Sequence, residues 1–477
     1  MRKIQRFTNK IPYQIRASFI ILAASFITSA ISFITTPIFT RLLSVEEYGI
    51  TIQYNSVLEI ISVIATLSLS AGVYQVAMNE FPDDRNSFTL SAMVLSNICT
   101  VVVFILIFAA RAVMSSFLHL PYNLLICMFL YLMLYPATSM WLAKQRYEYK
   151  YKKVAIVSVV TILFNLSSGV IAILLIKGYD FGIVKVWSTS IAAMISSFII
   201  YISIAKEAKW NVRFKYIKYA FNFNVPLIVH YLAQYVLRSS DKIMITYFLG
   251  EKYTGLYGLG TTVASIAVLA WSAMAASLTP YMYTHITDKQ YQKVNKAVIA
   301  VLFIFGVCCV IVSLIGPEVV YVLGSAKYIE NIQLIPPVAA SSLLTGIYGV
   351  YSTIAFYYHK RFSTAIMTVI AAILNILLNY WLIPIHGYIA AAYTTEIAYL
   401  IYTFLHFLNY RRITKKEKIF NDKRIWGITI TTTLLCLVTG LFYESWIVRY
   451  GVIIAILIVA VLMRKRIIEV VKLVIAK

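Results

Sequence analysis

The sequence predicts an all-α polytopic membrane protein, and three properties of the chain indicate it. Of its 477 residues, 61% are hydrophobic and 13% are charged, whereas a typical soluble domain is roughly 45–50% apolar and about 25% charged. The mean hydropathy is +0.80, too high for a soluble fold that must cover its core with polar side chains. The apolar residues also cluster in runs of about 20, which as helices cross a hydrocarbon layer of ~30 Å. The same composition excludes a disordered chain, a collagen and a disulfide scaffold.

Fourteen apolar stretches predict membrane-spanning helices, because each approaches the length that a helix needs to cross the bilayer. Their predicted limits are 18–40, 50–76, 88–112, 121–143, 154–176, 182–205, 219–249, 255–281, 297–316, 331–356, 364–384, 388–408, 426–442 and 446–463. The segments between them are short. Even the longest, 409–424 and 316–331, are too small to fold as catalytic domains.

The Lys and Arg residues are concentrated in alternate segments between the predicted spans. The formal net charge is +23, from 42 Lys+Arg against 19 Asp+Glu. If the N-terminus lies inside and every stretch crosses once, the inside segments hold 33 Lys and Arg and the outside ends hold 7, with Arg238 and Lys242 left inside a span. Because Lys and Arg favour cytoplasmic loops, this asymmetry predicts that both termini are cytoplasmic. It also accounts for the charge without a nucleic-acid partner, since no loop offers a folded basic surface.

The sequence contains no motif for enzyme chemistry or for a cofactor. Its five cysteines lie in apolar stretches without CxxC or CxxH spacing, which argues against disulfides and metal sites. The motifs GxxxxGK(S/T), HExxH and GxSxG are also missing. We therefore predict a protein that is not an enzyme, with no catalytic residues, no metal and no cofactor.

A weak internal repeat indicates how the spans are organised. The first span is followed by TRLLSVEEYGI and the seventh by TYFLGEKYTGL. In these segments Leu43 matches Leu249, and Gly49 matches Gly255, at a constant offset of 206. Each segment lies at the external end of the first helix of a six-span set. Because an even number of spans separates the two copies, the repeat is parallel.

This repeat divides the chain into three predicted parts. Residues 1–210 and 211–410 form two six-helix bundles. Residues 411–477 hold a basic cytoplasmic loop, two extra transmembrane helices and a cytoplasmic tail. Transporters built from such repeats place their substrate site between the halves.

Motifs in order along the chain resemble those of a known family. The N-terminal motif combines ISF at 31–33, PIFTRLLS at 37–44 and EYG at 47–49. Later landmarks are Asn224-Val225-Pro226, Ser240-Asp241-Lys242, Phe248-Leu249-Gly250, Gly255-Leu256-Tyr257, Pro317 with Leu323-Gly324, and Pro384 with Gly387-Tyr388 and Ala390-Ala391-Ala392. The ordered set resembles the polysaccharide-biosynthesis flippases, which move O-antigen and capsule repeat units. These belong to the multidrug/oligosaccharidyl-lipid/polysaccharide exporter superfamily.

The resemblance implies a function and a shape. The expected function is translocation of undecaprenyl-diphosphate-linked oligosaccharide from the cytoplasmic to the outer leaflet of a bacterial inner membrane. The expected fold is two-lobed and V-shaped with a central cavity. Expected partners are the lipid-linked oligosaccharide, membrane lipids, a polysaccharide polymerase and a chain-length regulator. The glycan stays open between O-antigen of lipopolysaccharide, capsule, exopolysaccharide and teichoic-type units.

The seventh span carries the strongest candidate for a substrate site. Its polar residues recur every three or four positions and so share one broad helix face. The candidates on it are Tyr231, Gln234, Tyr235, Arg238, Asp241 and Lys242, and Arg41 of the N-terminal motif is added to them. Arg238 lies twelve residues before Gly250, which is ~18 Å of helix and near mid-bilayer. The predicted site is a cationic patch for a diphosphate; the alternative is an Arg238–Asp241 ion pair that only holds helices together.

Three carboxylates inside spans are candidates for coupling transport to H⁺ or Na⁺. They are Glu59 in the second span, Asp241 in the seventh and Glu396 in the twelfth. Ionisable residues within a membrane are costly, so each needs a partner or a function. The alternative for Glu59 and Glu396 is a carboxylate that is hydrogen-bonded to a neighbouring helix.

Two other functions stay open from the sequence. A multidrug-type cation antiporter of the same superfamily would need an anionic cavity, whereas the seventh span is net basic. A membrane polymerase or ligase acting on lipid-linked glycans would need a large external loop with Arg or His groups. The longest external segment here has only Glu318, Lys327 and Glu330 as charges.

Overall fold

The computed structural model describes residues 13–415, 417–462 and 464. The regular secondary structure of these residues is entirely helical and comprises 17 α-helices and two short 3-10 helices. The first eight helices are α1 (Tyr13–Leu42), α2 (Val45–Ala65), α3 (Val73–Glu80), α4 (Arg85–Ala109), α5 (Arg111–Leu118), α6 (Tyr122–Tyr147), α7 (Tyr151–Leu175) and α8 (Phe181–Glu207).

The remaining helices follow after a short connection. They are α9 (Phe214–Leu249), α10 (Glu251–Thr287), α11 (Tyr291–Leu314), α12 (Gly316–Gly324), α13 (Ile335–Tyr357), α14 (Arg361–His386), α15 (Ala390–Thr414), α16 (Asp422–Thr439) and α17 (Trp446–Leu462). The 3-10 helices are Ala326–Leu334 and Gly440–Phe442.

The predicted all-α polytopic fold is confirmed. Every one of the fourteen predicted apolar stretches overlaps at least one helix of the structure. By length and composition, nine of the described helices are able to cross a membrane. The chain is therefore a multi-pass membrane protein, and the number of fourteen spans stays a prediction.

The helices form two compact units, one up to Ser239 (unit 1) and one from Ser240 onwards (unit 2). The boundary falls within α9, because Tyr216 and Ala220 in its first half pack into the core of unit 1. Unit 2 has its own core, in which Trp271 lies 5.2 Å from the Phe305 ring. The predicted limits 1–210, 211–410 and 411–477 remain predictions.

The same helix pairs pack in both units. In unit 1, α2 packs on α4, α4 on α6, α6 on α8, and α7 on α8. In unit 2 the corresponding spans, counted from the first span of each predicted six-span set, also pack on one another. Here α10 packs on α11, α11 on α13, α13 on α15, and α14 on α15. This recurrence supports the parallel repeat that was inferred from the junction segments.

The N-terminal family motif forms a helix junction. The Ser44 side chain accepts a hydrogen bond from the Glu47 backbone N–H, and the Glu47 carboxylate accepts one from the Ser44 N–H, so the two residues form a capping box at the start of α2. Glu47 also accepts from the Phe181 N–H at the start of α8, at 3.1 Å. A Cβ at Gly182 would lie 2.4 Å from the Glu47 carbonyl oxygen, so only glycine allows this close approach. The motif thus fixes α2 against α8.

The second predicted span, 50–76, is divided in the structure. Helix α2 ends at Ala65 and α3 begins at Val73, and Leu67 and Ser68 between them have positive φ angles of 53° and 47°. A break inside a membrane frees backbone groups that must find other partners. Asn224 of α9 provides two of them: its Oδ1 accepts from the Val73 N–H at 3.0 Å, and its Nδ2 donates to the Leu67 carbonyl at 2.6 Å. The Asn-Val-Pro landmark therefore stabilises this break.

Candidate functional site

Arg238 of α9 lies in a charged cluster with α2. Its Nη2 donates to Glu59 Oε1 at 3.2 Å, and the Ser239 hydroxyl donates to Glu59 Oε2 at 2.6 Å. The Arg238 side chain is 66% exposed, whereas that of Glu59 is 34% exposed. Only one nitrogen of the guanidinium is engaged by the carboxylate, so its other donors can reach a ligand.

The structure thus corrects the expected ion pair on the seventh span. That alternative joined Arg238 to Asp241 within one helix. Arg238 pairs instead with Glu59, which is 179 residues away in the sequence. A predicted substrate residue and a predicted coupling residue are therefore in direct contact.

Three other candidates on α9 lie within two turns of this cluster. Gln234 is exposed, one turn before Arg238, and Tyr235 is half-buried. Tyr231 is half-buried too, and its hydroxyl lies against Gly72 in the break between α2 and α3, where a Cβ would be 2.7 Å from it. Exposed Gln234 and Arg238 thus share one side of α9, with tyrosine rings beside them.

Lys242 and Arg41 complete the predicted substrate set. Lys242 is half-buried, and within the described part of the chain no carboxylate forms an ion pair with its ammonium group. Arg41 is exposed at the end of α1, where its Nη1 donates to the Pro37 carbonyl of the same helix at 3.0 Å. Arg41 therefore makes a local contact with its own helix.

Asp241 lies in the buried interior of unit 2 and is 3% exposed. Its Oδ2 accepts from the Tyr257 hydroxyl at 2.5 Å, and its Oδ1 accepts from the Lys242 backbone N–H at 2.8 Å. Both carboxylate oxygens are thus hydrogen-bonded, as a buried charge requires. The Tyr257 hydroxyl of α10 therefore helps to fix the Asp241 carboxylate in place.

An oxygen-rich network surrounds this part of unit 2. The Ser240 hydroxyl donates to Asn375 Oδ1 at 3.2 Å, and Asn375 Nδ2 donates to the Thr395 hydroxyl at 3.2 Å. Asn379 donates to Asn375 Oδ1 at 3.2 Å and accepts from the Thr394 hydroxyl. Side chains from α9, α14 and α15 are therefore linked in the core by neutral amides and hydroxyls.

Sequence reasoning missed several members of this network. Tyr257 lies in the family motif Gly255-Leu256-Tyr257 but was not a predicted site residue. Its hydroxyl donates a hydrogen bond to Asp241. Thr394 and Thr395 carry no separate signal, because a threonine in a transmembrane helix more often bonds its own backbone. Their role follows only from the packing of α15 on α14.

Glu396 of α15 is 7% exposed. Among the residues that the structure describes, none donates a hydrogen bond to its carboxylate. A buried carboxylate without donors is costly in its charged form. Glu396 therefore stays a candidate for carrying a proton, and Glu59 and Asp241, which donors hold in place, stay candidates for H⁺ or Na⁺.

A second polar cluster in unit 1 is structural. Asp84 precedes α4 and receives an ion pair from Arg213 at 2.5 Å and a hydrogen bond from the Tyr216 hydroxyl at 2.5 Å. Burial alone would raise the pKa of Asp84, but hydrogen bonds from Ser87 and Tyr216 and the charge of Arg213 lower it below its ordinary value. These contacts fix the start of α9 to unit 1. They explain why the boundary between the units lies inside this helix.

No metal centre is evident. In residues 13–415, 417–462 and 464, no group of three or more His, Cys, Asp or Glu side chains is placed to hold a metal ion. The chemistry that these residues offer is ionic: an accessible guanidinium held by a carboxylate, and buried carboxylates among oxygen ligands.

The structure is that of a polytopic helical membrane protein with charged side chains in its helices, and solved structures share the fold. The lipid II flippase MurJ in an inward closed conformation is 17% identical, with a TM-score of 0.64 over 94% of this chain and 100% of that chain. An inward-facing multidrug resistance MATE family transporter of the MOP superfamily is 12% identical, with a TM-score of 0.58 over 85% of this chain and 96% of that chain.

The sequence comparisons identify the family. The model of the polysaccharide biosynthesis protein family matches residues 15–285, which is more than half of the chain. The chain therefore belongs to this family, and the resemblance drawn from its motifs is confirmed.

Two relatives match shorter stretches. A protein of the Lsg locus of Haemophilus influenzae is 26% identical over 191 residues, 39% of this chain and 44% of that protein. An uncharacterised membrane protein of Methanocaldococcus jannaschii is 22% identical over 251 residues, 51% of this chain and 48% of that protein. The matches thus span about half the length of these relatives.

Proposed function

We propose that the chain is a flippase that moves undecaprenyl-diphosphate-linked oligosaccharide repeat units from the cytoplasmic to the outer leaflet, for the biosynthesis of a surface polysaccharide such as O-antigen or capsule. Membership of the polysaccharide biosynthesis family supports this, as does a fold shared with a lipid II flippase. The observation that carries the proposal is the exposed Arg238 guanidinium deep within α9, held by Glu59.

The physical argument concerns the diphosphate. Moving its charge through a low-dielectric layer is costly unless fixed cations replace the water around it. Arg238 lies ~18 Å of helix rise before the end of α9, so its exposed side chain must face water or a polar ligand, because lipid would not solvate it. A guanidinium binds phosphate oxygens with parallel donors, whereas Lys242 one turn later acts as a point charge.

The Glu59–Arg238 contact suggests how loading and coupling are linked. A diphosphate that binds Arg238 competes with Glu59 for the same guanidinium. Once displaced, Glu59 keeps the Ser239 hydroxyl among its described partners, and its carboxylate becomes available to a coupling ion. Ion binding at Asp241 or Glu396 then completes the cycle. In this scheme Arg238 exchanges Glu59 for the diphosphate, and Glu59 exchanges Arg238 for an ion. No covalent bond forms between the protein and the substrate.

Cellular placement follows from the same proposal. The chain lies in a bacterial inner membrane with both termini in the cytoplasm. A polysaccharide polymerase and a chain-length regulator receive the translocated units, since repeat units must be joined after they cross.

Reconstitution tests the function directly. Liposomes that carry a polyprenyl-diphosphate-linked saccharide in both leaflets are treated with an impermeant glycosidase, which reaches only the outer half. With the purified protein, cleavage should proceed nearly to completion; without it, cleavage should stop at about half. Cleavage that stops at half in the presence of folded protein would contradict the proposal.

The same vesicles separate the alternatives. The multidrug antiporter shares this fold, as the MATE transporter shows. It predicts gradient-driven uptake of a cationic dye with no movement of the lipid-linked saccharide. A polymerase or ligase predicts longer saccharides in place of translocated ones, which gel analysis of the lipid extract would reveal.

The orientation is checked by thiol labelling in a variant without the five native cysteines. Cysteines introduced near Lys150 and near Lys416 should resist an impermeant reagent in intact cells, because both positions lie in predicted cytoplasmic segments; Lys416 itself lies outside the described residues. A cysteine near Lys327 should react. Labelling near Lys416 but not near Lys327 would reverse the orientation.

A further inference from the structure

Unit 2 has a basic cavity of about 660 Å³ at one end of its helices. Its walls are the start of α11, the end of α15, the start of α16 and residues 417–421. The lining residues are Tyr291, Gln292, Asn295, Tyr410, Arg411, Thr414, Lys415, Glu417, Lys418, Ile419, Phe420, Asn421, Asp422 and Lys423. No part of the proposed transport site lies here.

The charges of the cavity are not balanced. Its two carboxylates are already engaged: Glu417 accepts from the hydroxyls of Tyr291 at 2.7 Å and Tyr358 at 3.1 Å, and Asp422 pairs with Arg411 at 3.0 Å. The lysines that line it, Lys415, Lys418 and Lys423, are exposed, and none forms an ion pair with a carboxylate among the described residues. With Arg411, the lining thus has four cationic side chains against two carboxylates, a surplus of two positive charges that favours an anionic ligand.

The cavity wall is built into the core. The Phe420 N–H donates to the Tyr410 hydroxyl at 3.1 Å, and the Asn421 N–H donates to Asn295 Oδ1 at 2.7 Å. Ile419 and Phe420 are 1% and 5% exposed and belong to the hydrophobic core of unit 2. The backbone that carries the lysines is therefore held in place by side-chain hydrogen bonds and by packing.

The cavity lies where helices enter the membrane. Two candidate spans, Tyr291–Leu314 and Asp422–Phe442, both begin at its wall. On the membrane side lies an aromatic cluster in which the Trp426 ring is 6.1 Å from that of Phe404 and 5.8 Å from that of Phe407. Phe404 is 47% exposed. Tryptophan favours the membrane interface, so a polar cavity adjoins an apolar surface at headgroup level.

We propose that this cavity binds the headgroup of an acidic phospholipid of the phosphatidylglycerol class from the surrounding leaflet. The phosphate meets Lys415, Lys418 and Lys423, and an acyl chain lies along Phe404 and Trp426. Basic pockets between transmembrane helices suit such headgroups. The general excess of Lys and Arg in cytoplasmic loops requires positive charge but no cavity. A lipid site requires the lysines at the cavity, whereas the general excess would be satisfied by lysines anywhere in these loops.

Native mass spectrometry of the detergent-solubilised full chain tests this, with phosphatidylglycerol as the probe and phosphatidylethanolamine as the neutral reference. The variant Lys415→Gln, Lys418→Gln, Lys423→Gln should bind phosphatidylglycerol ~10-fold or more weakly, since each lysine near an anionic headgroup favours binding. Exposed Lys152, Lys153 and Lys218 do not line the cavity and provide the matched control. Their triple Gln variant should bind as the wild type does.

A variant that removes a negative charge from the cavity should have the opposite effect on lipid binding. Glu417→Gln keeps an oxygen that accepts from Tyr291 and Tyr358, so the cavity wall stays in place, but it removes one negative charge. Binding of phosphatidylglycerol should tighten several-fold, while that of phosphatidylethanolamine should not change. A mere loss of fold would lower both.

Three outcomes would overturn the proposal. Equal weakening in the cavity variant and the control variant would mean that only the net charge matters. Displacement of the lipid by millimolar inorganic phosphate would mean that a free phosphate, not a lipid, is the ligand. Unchanged binding in the cavity variant, at wild-type thermal stability, would mean that acidic lipid binds elsewhere.

Discussion

Removing both deep cations, by Arg238→Ala with Lys242→Ala, should abolish surface glycan and leave lipid-linked repeat units inside the cell. The diphosphate would lose the fixed charges that replace its water. A hydrogen bond to a charged group contributes about 1.5–3 kcal/mol, so Arg238→Ala alone should reduce export ~10-fold or more. Arg238→Lys should be only partly tolerated, because an ammonium cannot offer parallel donors. Surface glycan and accumulated intermediates are measured at matched protein levels.

Two controls separate a binding role from a structural one. Arg111→Ala removes another exposed arginine that contacts only the Tyr122 ring in the described contacts, and it should leave export unchanged. Glu59→Met with Arg238→Met replaces the whole ion pair by apolar side chains, a change that is often neutral for stability. If the pair only holds α2 to α9, this double variant should export normally. If Arg238 binds the diphosphate or Glu59 couples transport, export should fail, and Glu59→Gln alone, which keeps Arg238, separates these two roles.

Normal surface glycan in the Arg238→Ala, Lys242→Ala variant would contradict the cationic site. The Glu59–Arg238 pair would then be a helix–helix contact, and the diphosphate would need other cations.

The helices of this protein could be predicted from its sequence, because hydropathy acts locally. Each apolar stretch overlaps at least one helix, and the Ser44–Glu47 capping box is a short-range signal. The break at 66–72 could not be predicted, since the residue that stabilises it is Asn224, more than 150 positions away. Only the fold brings its amide to the backbone groups that the break exposes.

The candidate site shows the same limit. Helical spacing predicts one face for the polar residues of α9, whereas Gln234 and Arg238 are exposed and Asp241 is buried in unit 2. It also suggested Asp241 as the partner of Arg238, because a residue three positions away is always within reach. The fold instead provides Glu59 for Arg238 and Tyr257 for Asp241. Contacts between helices decide which carboxylate meets which donor, and one sequence does not contain that information.

Asp241→Asn should remove the dependence of export on an imposed H⁺ or Na⁺ gradient. The variant replaces one carboxylate oxygen with an amide nitrogen at nearly the same shape, so the remaining oxygen can still accept from the Tyr257 hydroxyl while the charge is lost. A coupled charge gains about 2.3 kcal/mol per 100 mV of membrane potential, which a neutral side chain cannot use. Flipping in proteoliposomes should therefore become slow, and its rate should be the same with and without an ion gradient.

Comparison variants identify which carboxylate couples. Tyr257→Phe removes one hydrogen bond to Asp241 but keeps its charge, so export should weaken and still follow the gradient. Glu396→Gln and Glu59→Gln test the other two candidates in the same vesicles, with folding checked by thermal stability. If Asp241 is the coupling site, only its variant loses the response. Asp241 is adjacent to Ser240, whose hydroxyl bonds Asn375. A response to Na⁺ rather than H⁺ would therefore point to a cation held by Asp241 and neighbouring oxygen atoms. Gradient dependence that survives when Asp241→Asn, Glu396→Gln and Glu59→Gln are combined would exclude all three carboxylates as the coupling site.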